Sequence, residues 1–191
     1  MSLTVHEVRY TWDEYLRLEE SSNVKHEFLD GQIYAMAGGT PSHAALLAAV
    51  PSVLYGALRA GACRAHVAEL RIRVLATGLA TYPDVAVICG PRQLDPEDKN
   101  SVVNPTLLVE VLSPSTERYD RGEKFAHYKR IPSLHQYVLV SQTDRQIEVW
   151  TRGEDAWTSR SYAEGDVADL ASIGARLDVR ELYDAATEGA A

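Results

Sequence analysis

The sequence predicts a mixed α/β fold in which one central β-sheet is flanked by helices. Short apolar runs of strand length, at residues 84–89, 107–112 and 137–140, alternate with longer segments that have helical signals. The chain has 191 residues, of which 46% are hydrophobic and 24% are charged. This is the composition of an ordinary globular protein, so we expect residues 1–191 to form a single domain.

Local signals near the N-terminus predict a helix followed by a β-hairpin. Thr11 and Glu14 have the spacing of a capping box, so a helix should begin at Trp12. Asp30 and Gly31 lie between two apolar-rich flanks, and an Asp-Gly pair in this position favours a two-residue hairpin turn.

The middle of the chain predicts a long helix and then several strands. Residues 43–59 are rich in Ala and Leu on all sides, which is typical of a largely buried helix. Pro51 should kink this helix or mark a start one turn late, because proline lacks the N–H that a helix interior uses. Residues 64–74 predict one half-buried strand, and residues 90–104 predict a polar, exposed connection.

The C-terminal half continues the alternation of helix and strand. Asp120 should cap a helix that ends before Pro132. Residues 146–150 and 157–162 predict an antiparallel pair of strands, and residues 178–186 predict a capped final helix.

Composition also bears on location. No window reaches the apolar length that a membrane span requires, and residues 1–15 lack the features of a secretory signal. Cys63 and Cys89 lie in apolar contexts without metal-binding spacing. We therefore expect two buried thiols in a cytoplasmic protein with no membrane partner.

The net charge of −8 at first argues against a nucleic-acid partner. Residues 153–191 contribute −6 of this charge, so residues 1–152 carry only −2. The bulk of the chain is thus nearly neutral, and electrostatics neither supports nor excludes a phosphate backbone as substrate.

Two carboxylates occupy successive predicted strands. Glu110 lies inside an apolar run, where an ionised carboxylate is costly unless it is paired. Asp84 begins the preceding strand, and successive strands are often neighbours in a sheet. A hard cation, Mg²⁺ or Mn²⁺, would stabilise such a carboxylate pair. The alternatives are a turn residue at Asp84 and a core ion pair between Glu110 and Arg71 or Arg73.

A lysine forms the third element of this candidate site. Asp120 and Lys124 are four residues apart on the predicted helix and share a face with Tyr128. One interpretation is a helix-surface salt bridge, which is common and contributes little. The other directs Lys124 at the carboxylate pair, where its charge would orient a water molecule and stabilise a transition state.

These residues together resemble the Uma-type restriction endonucleases, a family assigned to the PD-(D/E)XK nuclease superfamily. The similarity extends over nearly the whole chain, and Glu27 and His43 also correspond to residues of the family. The motifs that carry it are residues 82–85 (YPDV), 107–116 (LLVEVLSPST) and 120–124 (DRGEK).

The resemblance implies metal-dependent hydrolysis of DNA phosphodiester bonds by a restriction-endonuclease-like fold. Asp84, Glu110 and the carbonyl of Val111 would bind Mg²⁺ or Mn²⁺. Glu27 resembles an additional acid near the metal, and Lys124 would complete the catalytic group. His43 resembles a recurring histidine to which no role is assigned.

One position departs from the superfamily pattern. Leu112 stands two residues after Glu110, where a lysine is expected, and the resemblance transfers that lysine to Lys124. Together with the acidic balance, this motivates an alternative: a binding or scaffold protein that retains the nuclease fold without catalysis.

The expected partners are DNA and a second copy of the chain. Exposed edge strands and the apolar helix around residues 46–58 make a homodimer a reasonable expectation. Basic residues that flank the helix of Lys124 can contact DNA phosphates, or they form a solvated face. These residues are Arg118, Arg121, Lys129 and Arg130.

Overall fold

In the computed structural model, which describes residues 8–36 and 38–187, the strands form two six-stranded sheets and a separate hairpin. Helices flank both sheets, so the mixed α/β class predicted from the sequence is confirmed. The single central sheet that the sequence suggested is divided into two.

The helices differ in length and regularity. The segment that carries Lys124 is helical throughout, but its middle is a π-helical turn. The α-helices of the described residues are α1 (Trp12–Ser21), α2 (Pro41–Leu58), α3 (Glu117–Tyr119), α4 (Phe125–Tyr128) and α5 (Val179–Ala186), with the π-helical turn over Asp120–Lys124 and a 3-10 turn over Ala171–Ile173.

The first sheet has the strand order β2-β1-β5-β4-β8-β7, and the second has the order β12-β11-β10-β9-β6-β3. The strands of the first sheet are β1 (His26–Leu29), β2 (Gln32–Ala35), β4 (Arg71–Val74), β5 (Leu79–Thr81), β7 (Leu94–Asp95) and β8 (Asp98–Val102). Those of the second are β3 (Cys63–Val67), β6 (Val85–Cys89), β9 (Leu107–Val111), β10 (Gln136–Val140), β11 (Gln146–Arg152) and β12 (Trp157–Ala163). The hairpin joins β13 (Val167–Leu170) to β14 (Ala175–Asp178).

Strand β9 is the centre of the second sheet and is buried along its whole length. It runs parallel to β10 and antiparallel to β6. Because side chains alternate along a strand, Val109 and Val111 pack in the core with α2 and α5. Leu108 and Leu112 pack on the opposite side with α4. The side chain of Glu110 lies on the same face of the strand as Leu108 and Leu112, so it faces the helical segment that carries Lys124.

The two N-terminal predictions are confirmed. Helix α1 begins at Trp12 and is capped by the predicted reciprocal bonds between Thr11 and Glu14. Strands β1 and β2 form the predicted hairpin, and Asp30 and Gly31 have φ values of 50° and 81°. Both turn residues therefore adopt the left-handed conformation that a tight hairpin requires.

Helix α2 begins two residues earlier than predicted, at Pro41, and continues through Pro51. We expected no segment with the length and composition of a membrane span. This expectation is wrong, because α2 has 18 residues and a mean hydropathy of 1.3. Its apolar character has a structural reason: Leu46, Val50 and Leu54 belong to the core beneath the second sheet.

Two stretches with weak apolar periodicity were predicted incorrectly. Residues 64–74 form β3 and β4, which lie in different sheets. Residues 90–104, expected to be an exposed connection, contain β7 and β8. The polar pattern misleads here because buried Asp98 pairs with buried Arg71 at 3.0 Å, so charged side chains occupy interior positions of the first sheet.

The expectation of two free thiols is also wrong. Cys63 on β3 and Cys89 on β6 are directly opposite each other in an antiparallel pair, and they form a disulfide. Both residues are half-buried. The register of the two strands brings them together, and residue spacing alone does not reveal it.

The disulfide should stabilise the fold by restricting the unfolded chain. It closes a loop with a sequence separation of 26 residues, for which the chain-entropy contribution is about 3.5 kcal/mol. We expect the double substitution Cys63→Ser and Cys89→Ser to lower the free energy of unfolding in urea by about that amount. Wild-type protein under reductant is the matched control, and equal stability with and without reductant would contradict the prediction.

Candidate active site

The ends of β6 and β9, strand β1, the start of α2 and the helical segment α3–α4 surround a cavity of about 350 Å³. This volume suits a small ligand or part of a larger one. All the residues proposed from the sequence as catalytic or metal-binding line it: Glu27, Asp84, Glu110, Val111 and Lys124.

Lys124 is the cation at the base of the cavity. Its Nζ lies 2.9 Å from Glu110 Oε1, 3.1 Å from Glu27 Oε1 and 3.6 Å from Asp120 Oδ1. The lysine is buried, with 5% of its surface exposed. A buried ammonium requires such partners, because burial without them would favour the neutral amine.

The backbone explains why Lys124 reaches the strands. Asp120 and Lys124 begin and end the π-helical turn, and both are buried. Tyr137 on β10 donates a hydrogen bond to the carbonyl of Asp120 at 3.1 Å, which holds this turn against the second sheet. The interpretation of Lys124 as an exposed salt-bridge residue is therefore wrong.

Glu110 and Glu27 reach Lys124 from different sheets. Glu110 lies on β9 in the second sheet, and its Oε1 also accepts a hydrogen bond from Tyr128 at 2.8 Å. Glu27 lies on β1 in the first sheet and accepts a hydrogen bond from Thr81. Lys124 thus joins the two sheets electrostatically at the cavity.

Asp84 lies where the pairing of β6 with β9 ends. The register pairs Val85 with Val109, so one further step places Asp84 opposite Glu110. Asp84 Oδ2 accepts a hydrogen bond from the N–H of Val111 at 2.7 Å. The two carboxylates therefore share one end of the second sheet, as the sequence suggested.

The ion pairs rule out the alternative partners of Glu110. Arg71 pairs with Asp98 at 3.0 Å, and Arg73 lies 3.6 Å from Asp95. Both arginines belong to the first sheet, on β4. Glu110 pairs instead with Lys124.

The site contains more acidic than basic groups, and burial is the main cause of their altered pKa values. Burial raises the pKa of Glu110 to about 8, although Lys124 opposes the shift. Burial also raises the pKa values of Asp84 and Asp120. Burial lowers the pKa of Lys124, but the surrounding carboxylates, Glu110 foremost, raise it well above its usual value. The lysine therefore remains charged at neutral pH.

The donor set suits a hard divalent cation. Among the described residues, no three His, Cys, Asp or Glu side chains form a group that could hold a metal ion. The proposed ligands are of a different composition, namely two carboxylates and the main-chain carbonyl of Val111. Oxygen donors of this type fit Mg²⁺ or Mn²⁺. The bonds described above use Asp84 Oδ2 and Glu110 Oε1, which leaves the second oxygen of each carboxylate as a candidate donor.

The structure gives Leu112 a packing role. Its side chain is buried in the core between the second sheet and α4. A charged side chain at this position would therefore be buried in the core and would not reach the cavity. The ammonium comes from the helical segment instead.

Some of the basic residues near the helical segment of Lys124 already have interaction partners. Arg121 forms ion pairs with Glu117 and Glu148, and Lys129 lies 4.2 Å from the centre of the Phe125 ring. Arg118 and Arg130 are exposed. Arg118 is on α3, beside the cavity.

Sequence reasoning missed three residues that support the site. Tyr128 was noted only for its position on the helix face, yet it donates to Glu110. Thr81 donates to Glu27 from β5. Gly39 leaves space for the ring of His43. No local pattern marks them, because each acts through a contact between distant segments.

The raised pKa of Glu110 predicts a pH-dependent stability in metal-free protein. An unfolded glutamate has a pKa near 4.5, whereas burial raises the pKa of folded Glu110 to about 8. The free energy of unfolding should therefore fall as the pH rises through this window. Urea titrations in the presence of a chelator should show this slope, with a smaller slope for Glu110→Gln. Identical slopes in the two proteins would contradict the prediction.

Comparison with known proteins shows the family and the fold of the chain. The uncharacterised protein slr1290 of Synechocystis sp. is 40% identical over 172 residues, which cover 90% of this chain and 90% of its own. A second uncharacterised Synechocystis protein, sll1609, is 31% identical over 145 residues, which cover 75% of this chain and 82% of its own.

A crystal structure from Anabaena variabilis, described as "a putative nuclease belonging to DUF820", matches 92% of this chain and 98% of its own with a TM-score of 0.75. Its sequence identity is 18%, so this likeness shows the fold alone. The Uma2 family, whose description is "Putative restriction endonuclease", matches residues 12–180, from α1 into α5. The predicted resemblance is confirmed, and the chain belongs to the Uma2 family.

Proposed function

We propose that this protein is a metal-dependent endonuclease that hydrolyses phosphodiester bonds in DNA. The observation that carries the proposal is the placement of the Lys124 ammonium 2.9 Å from Glu110 in a cavity that Asp84 also lines. Membership of a family described as restriction endonucleases supports a nucleic-acid substrate.

Asp84, Glu110 and the carbonyl oxygen of Val111 would hold Mg²⁺ or Mn²⁺. When bound, such an ion supplies a Lewis acid that polarises a phosphoryl oxygen and lowers the pKa of a water molecule. The surplus of carboxylates favours a cation at this position, because like charges in a buried site repel each other.

Lys124 provides a fixed positive charge for the reaction. Its three carboxylate neighbours hold the ammonium in one place and keep it protonated. From there it can orient the attacking water or offset negative charge on the phosphate as the bond breaks. Glu27 holds Lys124 on one side, and Tyr128 holds Glu110 on the other.

The DNA backbone would approach over the exposed side of α3. Arg118 lies there, and it is exposed. Arg121 contributes less in this proposal, because two glutamates already neutralise it. Phosphate contacts of this kind position a strand without reading its sequence.

Cleavage assays with site variants test the proposal. Wild-type protein should cut plasmid or single-stranded DNA with Mn²⁺, and Asp84→Asn or Lys124→Met should reduce the rate by at least about 100-fold, because each removes a charge at the reacting phosphate. Asp155→Asn, in an exposed turn between β11 and β12, is the matched control and should retain activity. Thermal denaturation should confirm that each variant is folded.

Two results would overturn the assignment. Unchanged activity in both site variants would mean that catalysis, if present, lies elsewhere. Absence of both cleavage and Mn²⁺ binding in wild-type protein would favour the alternative of a non-catalytic binding or scaffold protein. The position of Leu112, in place of the usual lysine, motivates that alternative.

We further propose that the protein forms a homodimer through the outer face of α2. This helix contains no charged residue, and Tyr55 on it is 68% exposed. An uncharged exposed helix face favours association with a second apolar surface.

Light scattering coupled to size-exclusion chromatography tests the dimer. Wild-type protein should elute at twice the monomer mass, and Tyr55→Glu should elute as a monomer because it places a charge in the interface. Leu75→Glu is the matched control, since Leu75 is comparably exposed outside α2. A monomeric wild-type protein would rule out the dimer.

A further inference from the structure

The role of His43 is not assigned by the proposed reaction, yet its ring is fixed at the site. His43 lies in the first turn of α2, and its backbone N–H is bonded to the capping hydroxyl of Thr40. The ring Nε2 lies 3.0 Å from the carbonyl oxygen of Val111 and 3.9 Å from Asp84 Oδ2. Because a carbonyl oxygen only accepts hydrogen bonds, Nε2 must carry the proton and donate it.

This bond replaces a missing strand partner. The pairing of β6 with β9 ends at Val109, so the next backbone groups on that side of β9, those of Val111, have no ladder partner. The N–H of Val111 donates to Asp84, and its carbonyl accepts from His43. The N–H of Leu112, which shares a peptide group with this carbonyl, donates to Val140 at 2.8 Å. His43 therefore holds the carbonyl side of a peptide whose N–H side is bonded to β10.

Gly39 fixes the ring from the other side. A Cβ atom at position 39 would lie 2.4 Å from His43 Nδ1 and 2.9 Å from its Cγ, so the imidazole would have to shift to make room for it. The Nδ1 atom is buried and has no hydrogen-bond partner. The backbone at Gly39 thus closes against the imidazole, and the requirement for glycine is steric. At neighbouring Gly38, a Cβ would meet no atom within 4 Å.

We propose that His43 is a positioning residue that aims the Val111 carbonyl at the divalent cation, and that Gly39 is needed to hold His43 in that role. The inference rests on the proposed metal site of Asp84 and Glu110. It assigns His43 no contact with the substrate.

Titration of the metal-free protein with Mn²⁺, followed by the electron paramagnetic resonance signal of free Mn²⁺, measures the effect. Loss of a group that orients a metal ligand typically weakens binding by about 10- to 100-fold. We expect this loss for His43→Ala and for Gly39→Ala. His43→Gln should retain most of the affinity, because its amide N–H can donate to the carbonyl. Gly38→Ala should bind as wild type does.

Nuclear magnetic resonance of the histidine side chains provides a readout that needs no metal. Wild-type His43 should show the tautomer with the proton on Nε2 and a bare Nδ1, and Gly39→Ala should change this signal while Gly38→Ala should not. Thermal denaturation of each variant checks that the chain remains folded.

The outcomes separate this inference from the proposed function. If Asp84→Asn abolishes Mn²⁺ binding while His43→Ala and Gly39→Ala leave it unchanged, the metal site stands and the positioning role is wrong. A proton on Nδ1 in wild-type protein would also overturn it. If wild-type protein binds no Mn²⁺, the proposed metal site fails and the positioning role fails with it.

Discussion

The ion pair between Lys124 and Glu110 is the interaction on which the rest of the site depends. Both groups are almost fully buried, and Glu110 at 2.9 Å is the nearest of the three carboxylates that surround the Lys124 ammonium. Removing one partner of such a pair typically costs about 3–5 kcal/mol, because it leaves an unpaired charge in the interior. The pair also ties the helical segment to β9, and Glu27 extends the connection to the first sheet.

The composition of the cavity determines what it can bind. Glu27, Asp84, Glu110 and Asp120 outnumber the single lysine, and burial raises the pKa values of the last three. A divalent cation would reduce this negative charge, and only then would the cavity suit a phosphodiester, which is itself an anion. The proposed metal and the proposed substrate are therefore linked by electrostatics.

The departure at Leu112 has a structural counterpart. That position faces the core beneath α4, and an apolar side chain there is buried at no electrostatic cost. The ammonium reaches Glu110 from a π-helical turn instead, about one residue wider than a regular helical turn. A lysine supplied by the helical segment thus lies 2.9 Å from the carboxylate of Glu110.

The sequence by itself determined the mixed class, the capping box at Thr11, the hairpin at Asp30 and Gly31, and the buried strand of Glu110. Each of these is a local property, readable from periodicity or from a residue that one backbone conformation requires. Only the tertiary structure decided the division into two sheets, the disulfide and the bond from His43 to Val111. These depend on strand register and on contacts between distant segments, which residue spacing along the chain does not encode.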